Sequence, residues 1–443
     1  MLDTKNIPCA KHEKLAPVAH PYTGDLGNAI DKLNERYSFV MDNGRHKVFD
    51  HKEKIFCELE SVKIFQNQQV FNENKMVNPA TLWINNRFLR RNFDRVVFRP
   101  YPTNDKFVAT HFNTWHGWAV EAVEQTDQQQ LKTYVEPWLN HIYNVFCSGN
   151  DEQFKYFVKW IAHMFQKPEK KPGVAIVIQS GQGFGKGLLC DLLEKLIGHS
   201  YMARITDSHQ VAGGFSGHIK NTILVNFDEA TWGGDKKAIG RLKAIITEKH
   251  LTIEEKHKNP EKIEHFARFL ITTNNKYSVP LDTDDRRFFV PDVTSKKPSD
   301  ADFKSIIDIN DDEEAIKHVF SYFMSLDISD FNVTRFPETI ARKNLKSESV
   351  NHGDVYNAFM LACHQEEELA LNLIQPSINA TELFNSFTEW KNSNTFRSTP
   401  VSMRAFGLEL NNAGFKKKVV KGKTVYEITI HDVEKYLQSK GLI

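Results

Sequence analysis

The stretch Val174-Ala-Ile-Val-Ile-Gln-Ser-Gly-Gln-Gly-Phe-Gly-Lys-Gly-Leu-Leu189 joins an uncharged, β-branched run to a glycine-rich turn. The run predicts a buried parallel strand. The lysine and leucines after the turn predict a helix, which Gly198 ends. Glycines allow backbone N–H groups to approach a phosphate, the helix N-terminus attracts anions, and Lys186 adds a positive charge. The stretch therefore predicts a phosphate-binding loop (P-loop) in an α/β fold.

Two positions of this loop depart from the general pattern G-x-x-x-x-G-K-[S/T]. Ser180 occupies the first glycine position, and Gly187 stands where a Ser or Thr would bind Mg²⁺. The alternative to a nucleotide site is a tight strand-to-helix turn without a ligand. As a nucleotide site, the predicted contacts are Ser180, Gly181, Gln182, Gly183, Phe184, Gly185, Lys186, Gly187 and Leu188.

Two further apolar runs end in polar residues of the kind that nucleotide hydrolysis requires. Asn221-Thr-Ile-Leu-Val-Asn-Phe-Asp-Glu229 ends in two carboxylates, and Phe269-Leu-Ile-Thr-Thr-Asn-Asn275 ends in two amides. Ligands of α/β sheets bind at the carboxyl ends of the strands. Asp228 is therefore predicted to hold Mg²⁺ and Glu229 to polarise the attacking water. Asn274 is predicted to contact the γ-phosphate or to orient that water.

An arginine pair precedes a fourth apolar run in Asp284-Asp-Arg-Arg-Phe-Phe-Val290. Arg286 or Arg287 is predicted to reach a phosphate bound by a neighbouring subunit. Each of these features has an ordinary alternative as a cap, a turn or a surface ion pair. Their joint order, on predicted strand ends, indicates an ATPase core.

This order of loop, carboxylates, amides and arginines resembles superfamily-three helicases, the AAA+ type of viruses and plasmids. Between about residues 112 and 293, several segments resemble more closely the helicase module of bacteriophage primase–helicase proteins. Gly187 is normal for this phage branch, whereas Phe184 stands where Thr or another small residue is expected. The segments are Phe112-Asn-Thr-Trp-His-Gly-Trp118, Pro172-Gly-Val-Ala-Ile-Val-Ile178, Gly183-Phe-Gly-Lys-Gly187, Asp228-Glu-Ala-Thr-Trp-Gly-Gly-Asp-Lys-Lys237, Leu242-Lys-Ala-Ile-Ile-Thr-Glu248 and Asp285-Arg-Arg-Phe-Phe289.

The resemblance implies an ATP-driven, Mg²⁺-dependent DNA helicase that acts as a ring, with a hexamer as the expected assembly. It also implies a primase or polymerase domain as a linked partner. One alternative is a DNA-binding or loading ring, a replication initiator that does not unwind DNA, which Phe184 and Gly187 favour. A nucleotide kinase is a weaker alternative, because the sequence has no recognisable lid or acceptor pocket and contains two basic hairpins.

Two hairpins are candidates for contact with DNA. In residues 251–265, apolar and polar side chains alternate before a Lys-His-Lys-Asn-Pro turn, which predicts a hairpin. The resemblance implies that Lys256, His257 and Lys258 at its tip bind single-stranded DNA. An ordinary surface turn is the alternative. Near the C-terminus, two capped helices and a basic hairpin have the order of a winged helix, and the alternative is a solvated hairpin. The hairpin lysines predicted to bind DNA phosphates are Lys416, Lys417, Lys418, Lys421 and Lys423.

Amino-acid composition and the boundary signals in the sequence define the expected class of protein and its domain organisation. The 443 residues, 40% hydrophobic and 26% charged, are typical of a globular protein, and a net charge of +1 leaves DNA binding to local patches. Five separated cysteines indicate a reducing cytosol and argue against zinc, and no apolar stretch reaches membrane-spanning length. We therefore expect a cytoplasmic protein. The predicted domains are an α+β region (1–148), the ATPase domain (149–298, with a helical lead-in at 149–170), a helical region (299–376) and a winged-helix-like domain (377–443).

Overall fold

The computed structural model describes residues 17–72, 75–101, 110–123, 126–206, 219–229, 236–253, 260–274, 279, 281, 285–353, 355–365, 377–393, 401–440 and 442–443. Its N-terminal part is mixed α/β. The helices there are Gly24–Arg36, Leu59–Phe65 and Pro79–Asn85, followed by a 3₁₀ turn at Arg87–Leu89. The strands are β1 Tyr37–Asp42, β2 Arg45–Asp50, β3 Ile55–Cys57, β4 Val70–Asn72, β5 Lys75–Val77, β6 Asn92–Phe93, β7 Arg95–Val97 and β8 His111–Asn113.

A four-stranded sheet organises this N-terminal part. Its order is β3-β2-β1-β6, with β1 antiparallel to β2 and parallel to β6. The pairs β4–β5 and β7–β8 form two smaller ladders. Trp83 is fully buried, and its indole N–H donates a hydrogen bond to Asn34 Oδ1 at 2.9 Å. That bond satisfies two buried polar groups at once and fixes the helix Pro79–Asn85 against the helix Gly24–Arg36.

A helical lead-in connects this part to the central sheet. It comprises Gln128–Gln130, π-helical turns at Leu131–Val135 and Ile142–Phe146, and the helices Glu136–His141 and Asp151–Gln166. Asn150 caps the last helix, because its side chain accepts the N–H groups of Glu152 and Gln153. The apolar face of this helix is buried, as Phe157, Trp160 and Phe165 are each 1% exposed.

The central sheet has five parallel strands. They are β9 Ala175–Gln179, β10 Met202–Ile205, β11 Leu224–Asp228, β14 Arg268–Thr273 and β15 Phe288–Phe289. A separate antiparallel hairpin joins β12 His250–Ile253 to β13 Glu261–Glu264. The order of the sheet is β10-β11-β14-β9-β15, and each neighbouring pair is parallel. The four apolar runs of the sequence therefore all enter one parallel sheet.

Both faces of this sheet are covered by helices, as a parallel sheet requires. Successive side chains of a strand point to opposite faces, so Ile176 and Ile178 join one hydrophobic cluster and Ala175 and Val177 join the other. The helices on the first face are Asp151–Gln166, Lys186–Ile197, Asp300–Asp311 and Glu313–Ser325. The helix Lys236–Thr247 lies on the second face, and so does the helix Ile340–Gly353, through Leu345.

The hydrophobic clusters do not follow the predicted domain boundaries. Trp138 and Phe146 lie in the same cluster as β9, and so do Ile316 and Phe320. The core therefore crosses the boundaries expected at 148/149 and 298/299. The physical reason is that one sheet face needs more apolar cover than the helix Lys186–Ile197 can supply. No helix within the described ranges is both long and apolar enough to cross a membrane.

The C-terminal part has its own hydrophobic cluster. The helices of this cluster are Val355–Gln365, Ala380–Ser393, Met403–Asn412 and Ile430–Ser439, and its strands are β16 Ile378–Asn379, β17 Lys416–Val420 and β18 Lys423–Glu427. The sheet order is β16-β18-β17, and all pairs are antiparallel. Phe359 on the helix Val355–Gln365 packs with Phe387 and Phe406. This cluster therefore begins before the boundary expected at 376/377.

Candidate functional site

The turn between β9 and the helix Lys186–Ile197 depends on two glycines in left-handed conformations. Gly183 has φ +76° and Gly185 has φ +84°, values that favour residues without a Cβ. A Cβ at Gly183 would lie 2.6 Å from Cε of Lys297, and one at Gly185 would lie 2.5 Å from Nε2 of His141. The buried His141 ring therefore closes Gly185 to a side chain, whereas at Gly183 the positive φ is the constraint, because the end of the Lys297 side chain can shift. Because Gly185 also caps the helix without a side chain, the first N–H groups of the helix remain available to an anion.

Lys186 is buried beneath this turn, with 8% of its surface exposed. Its ammonium donates hydrogen bonds to Ser180 O at 3.1 Å, Ser180 Oγ at 2.9 Å, Gly181 O at 2.9 Å and Asn274 Oδ1 at 2.7 Å. Burial lowers the pKa of Lys186, and the negative charges of Glu229 and Asp228 oppose that shift. The ammonium is therefore held at the loop by oxygens that a phosphate could replace.

The two predicted carboxylates lie at the end of β11, beside the end of β14. Thr272 is fully buried, and its hydroxyl donates to Asp228 Oδ1 at 2.9 Å, which orients that carboxylate. Glu229 leaves the strand with φ +54°, and its N–H donates to Thr272 O at 2.8 Å. The N–H of Asn274 donates to Glu229 Oε2 at 3.1 Å. Asn274 therefore contacts both the Lys186 ammonium and the Glu229 carboxylate.

The arginine pair lies at the opposite end of the sheet. Arg286 and Arg287 directly precede β15, in which Phe288 pairs with Ala175 at the start of β9, whereas the phosphate-loop candidate follows the end of β9. At about 3.3 Å per residue, the strand separates the two positions by about 15 Å or more. Arg287 is held locally, because its guanidinium lies 3.3 Å from Asp285 Oδ1. Arg286 is exposed.

The structure brings the nine predicted loop residues, Asp228, Glu229 and Asn274 to one edge of the sheet, and it does not bring the arginines there. Gly187 is exposed, and a Cβ added to it would meet no atom within 4 Å. Leu188 packs against the core, and its carbonyl accepts a hydrogen bond from Asn310 Nδ2 at 3.0 Å. Leu188 thus positions the helix rather than facing the turn.

Three residues at this edge were not predicted from the sequence. His141 is buried, and its Nε2–H donates to Phe184 O at 3.0 Å. Burial lowers the pKa of His141, so its ring is neutral at pH 7. Lys297 lies against Gly183, and Thr272 orients Asp228. No local signal marks the first two residues, because both come from segments far from the loop in sequence; Thr272 stands within the predicted strand beside the amides.

Of the two candidate DNA-binding hairpins, the C-terminal one lies wholly within the described residues. β12 and β13 pair as the sequence predicts, but Lys256, His257 and Lys258 at the tip lie outside the described residues. In the C-terminal hairpin all five lysines are exposed. The register puts Lys417 opposite Tyr426, whereas Lys416 and Lys418 occupy the other face of the strand. The hairpin therefore does not present its lysines on one surface. Lys418 also pairs with Glu427.

The comparisons with known proteins concern the central part of the chain and its fold. A family model described as a family of unknown function (DUF5906) matches residues 178–287, which include the turn, the carboxylates and the arginines. Over 137 residues, 30% of this chain, the sequence is 34% identical to the DNA primase-polymerase of Nitratiruptor phage NrS-1. That match spans 19% of the relative's length. The chain is therefore related to part of a phage replication protein.

Two solved structures of the NrS-1 C-terminal region have a similar fold. The apo structure aligns with a TM-score of 0.60 at 16% identity and covers 92% of this chain and 100% of that chain. The A form apo structure aligns with the same TM-score and identity and covers 91% and 99%. At this level of identity, the similarity describes the fold alone.

Proposed function

We propose that this chain binds Mg²⁺-ATP at the turn after β9 and hydrolyses it to unwind DNA, as a helicase module of a phage or mobile-element replication protein. One observation carries the proposal. Glu229 and Asn274 directly follow the adjacent strands β11 and β14, Lys186 begins the helix after β9, and hydrogen bonds of 2.7 and 3.1 Å join the three residues. A lysine, an amide and a carboxylate linked at a glycine-rich helix N-terminus are the groups that phosphoryl transfer requires.

Each group has a proposed task in hydrolysis. Lys186 exchanges its loop oxygens for phosphate oxygens, while the glycine turn offers N–H groups to the same phosphates. Asp228 is the residue that would hold Mg²⁺, since Gly187 supplies no hydroxyl. Glu229 polarises the attacking water, and Asn274 keeps that carboxylate beside the phosphate. When bound, Mg²⁺ would neutralise charge that develops on the phosphates.

The arginines support a ring. Arg286 is exposed and lies at the opposite end of the sheet, so about 15 Å of strand separates it from the phosphate-loop candidate of its own chain. A guanidinium in that place can act on a phosphate only if a neighbouring subunit presents one. A closed ring, expected to be a hexamer, gives every site such a neighbour.

The proposed partners are DNA and a linked primase or polymerase domain. The hairpin β12–β13 and the exposed C-terminal lysines are the proposed DNA contacts. The C-terminal unit, with its two helices before a basic hairpin, is proposed to be a winged-helix-like domain. The relation to a phage DNA primase-polymerase supports the linked domain and the setting in DNA replication.

The deciding experiment measures DNA-stimulated ATP hydrolysis and strand displacement on a forked duplex in parallel. We expect single-stranded DNA to accelerate hydrolysis, and both activities to be absent from a Lys186→Ala control. Hydrolysis unaffected by DNA, or displacement that persists in Lys186→Ala, would contradict the proposal.

The second candidate is a nucleotide-dependent DNA-binding or loading ring that does not unwind DNA. Gly187 favours it, because an Mg²⁺ ion without a hydroxyl ligand is held less firmly. This candidate predicts that nucleotide drives assembly on DNA, measured by light scattering, without strand displacement.

A further inference from the structure

Lys297 lies on the phosphate-loop candidate of its own chain. Its Cε and Nζ are 2.6 and 2.9 Å from the position that a Cβ of Gly183 would occupy. The side chain is exposed, and within the described ranges no hydrogen bond or ion pair is found for it. An ammonium therefore rests on the glycine turn, at the end of the sheet where the proposed phosphates bind, without an acidic partner there.

The backbone around Lys297 is fixed on both sides. The N–H of Thr294 donates to Val145 O at 2.9 Å, which ties the preceding residues to the helical lead-in. Ser299 starts the helix Asp300–Asp311 with a capping box that includes Asp302. On that helix, the Phe303 ring lies 3.5 Å from the position that a Cβ of Gly185 would occupy. The Lys297 side chain therefore projects from a short segment that is anchored at Thr294 and Ser299.

The charges around the site indicate a role for Lys297. Asp228, Glu229 and an incoming triphosphate together carry more negative charge than Lys186 and a bound Mg²⁺ would offset. Arg287 is engaged with Asp285 at the opposite end of the sheet. A second cation close to the loop would offset repulsion between the phosphates and the two carboxylates.

We infer that Lys297 is a second phosphate ligand, whose ammonium moves from the turn onto the phosphates of a nucleoside triphosphate bound by the same chain. The inference rests on the proposed nucleotide site and adds a residue to it. Lys297 is then a binding residue in cis, distinct from an arginine that a neighbouring subunit supplies. Lys296 provides a matched control, because it is the adjacent exposed lysine and its charge acts on Asp302.

The test measures the binding of ATP, ADP and adenosine to the full chain by equilibrium titration. Wild type is compared with Lys297→Ala, Lys297→Arg, Lys296→Ala and Lys186→Ala, with the melting temperature of each nucleotide-free protein recorded. A lost charged hydrogen bond weakens binding by on the order of 10-fold or more. We expect that loss for ATP with Lys297→Ala, a smaller loss for ADP and none for adenosine. Lys297→Arg retains affinity, and Lys296→Ala behaves as wild type.

The outcomes separate this inference from the proposed function. If wild type binds no nucleotide, or Lys186→Ala binds ATP normally, the nucleotide site itself is wrong. If wild type binds and Lys186→Ala does not, but Lys297→Ala retains full affinity, only the second ligand is refuted. An equal loss for ATP and adenosine, or a lower melting temperature without nucleotide, would instead assign Lys297 to loop structure and overturn the inference.

Discussion

Asn274 Oδ1 accepts a hydrogen bond from the Lys186 ammonium at 2.7 Å, although the two residues are 88 positions apart in the chain. The backbone N–H of the same asparagine is bonded to Glu229. In the proposed reaction, a phosphate that binds Lys186 competes for the ammonium that now contacts Asn274. Nucleotide binding is thereby linked to the position of the carboxylate that would activate water.

Removing the charge of Lys186 and removing the charge of Glu229 should have different effects. Lys186→Ala should lose nucleotide binding and reduce hydrolysis by about 100-fold or more, since the phosphates lose their buried cation. Glu229→Gln should bind nucleotide as wild type does and lose turnover by about 100-fold or more, because the amide cannot polarise water. Nucleotide titration and steady-state hydrolysis measure the two effects. Normal turnover in Lys186→Ala would remove this site from the mechanism.

A serine at position 187 should fit without rearrangement, because no atom lies within 4 Å of an added Cβ. Its hydroxyl could become an Mg²⁺ ligand. We therefore expect Gly187→Ser to lower the Mg²⁺ concentration that gives half-maximal hydrolysis, while Gly187→Ala leaves it unchanged. A marked upward shift for the serine variant alone would contradict the proposed position of the metal.

The two arginines should respond differently to substitution. Arg286→Ala should keep nucleotide binding and stability but hydrolyse poorly, and mixing it with Lys186→Ala should restore partial activity. Where the two variants are neighbours in a ring, the intact loop of the Arg286→Ala subunit meets the intact Arg286 of the Lys186→Ala subunit. Subunits should be mixed from dissociated protein, with assembly followed by light scattering. Assembled rings that recover no activity at any mixing ratio would exclude an arginine acting between subunits.

Arg287 faces a buried carboxylate, so its removal should first affect folding. The Asp285 side chain is fully buried and also lies 3.2 Å from the Lys243 ammonium. We expect Arg287→Ala to lower the free energy of unfolding by about 1–3 kcal/mol, measured by chemical denaturation, with Arg286→Ala as the matched control. Equal stability of the two variants would show that the pair with Asp285 contributes little.

The burial of His163 and His265 predicts that the free energy of unfolding decreases in mild acid. Burial lowers the pKa of His163 and of His265 to about 3, from about 6.5 in the unfolded chain. Between pH 6.5 and 3 the unfolded state therefore binds more protons than the folded state. Each histidine should lower the free energy of unfolding by about 1.4 kcal/mol per pH unit over this range.

The pH prediction is checked by denaturant unfolding at pH 7, 6 and 5. His163→Phe removes one titrating group, so its stability should fall less steeply between pH 6 and 5, by about 1.4 kcal/mol per unit. His163 Nδ1 is buried without a hydrogen-bond partner in the described structure, so the phenyl ring leaves no such partner unsatisfied. An unchanged slope would mean that His163 is protonated or exposed in the folded state.

Local sequence was sufficient for four of the five strands of the central sheet, whereas β10 Met202–Ile205 was not predicted. The uncharged run before the glycine turn is strand β9, the leucine-rich segment is the helix Lys186–Ile197, and Gly198 ends it with a φ of +100°. These features depend on side chains within a few residues of one another, so periodicity and glycine positions are informative. The C-terminal hairpin is a similar case, with Lys421 and Gly422 both at positive φ.

Local sequence was not sufficient for the domain limits. Ile316 and Trp138 pack in one cluster although they were predicted to lie in different domains. Amphipathic periodicity identifies the apolar face of a helix, but it does not identify the surface that the face covers. The number of helices needed on one side of a parallel sheet follows from the area of the assembled sheet.

The sequence by itself determined the strand–turn–helix around Lys186 and the polar residues at the ends of two further strands, because these depend on local conformation. Only the tertiary structure decided that Asn274 joins Lys186 to Glu229, that His141 holds Phe184, and that Lys297 lies over Gly183. Each of these contacts joins segments separated by 40 or more residues. Their distances depend on the strand order β10-β11-β14-β9-β15 and on the helices packed around it, which no local pattern encodes.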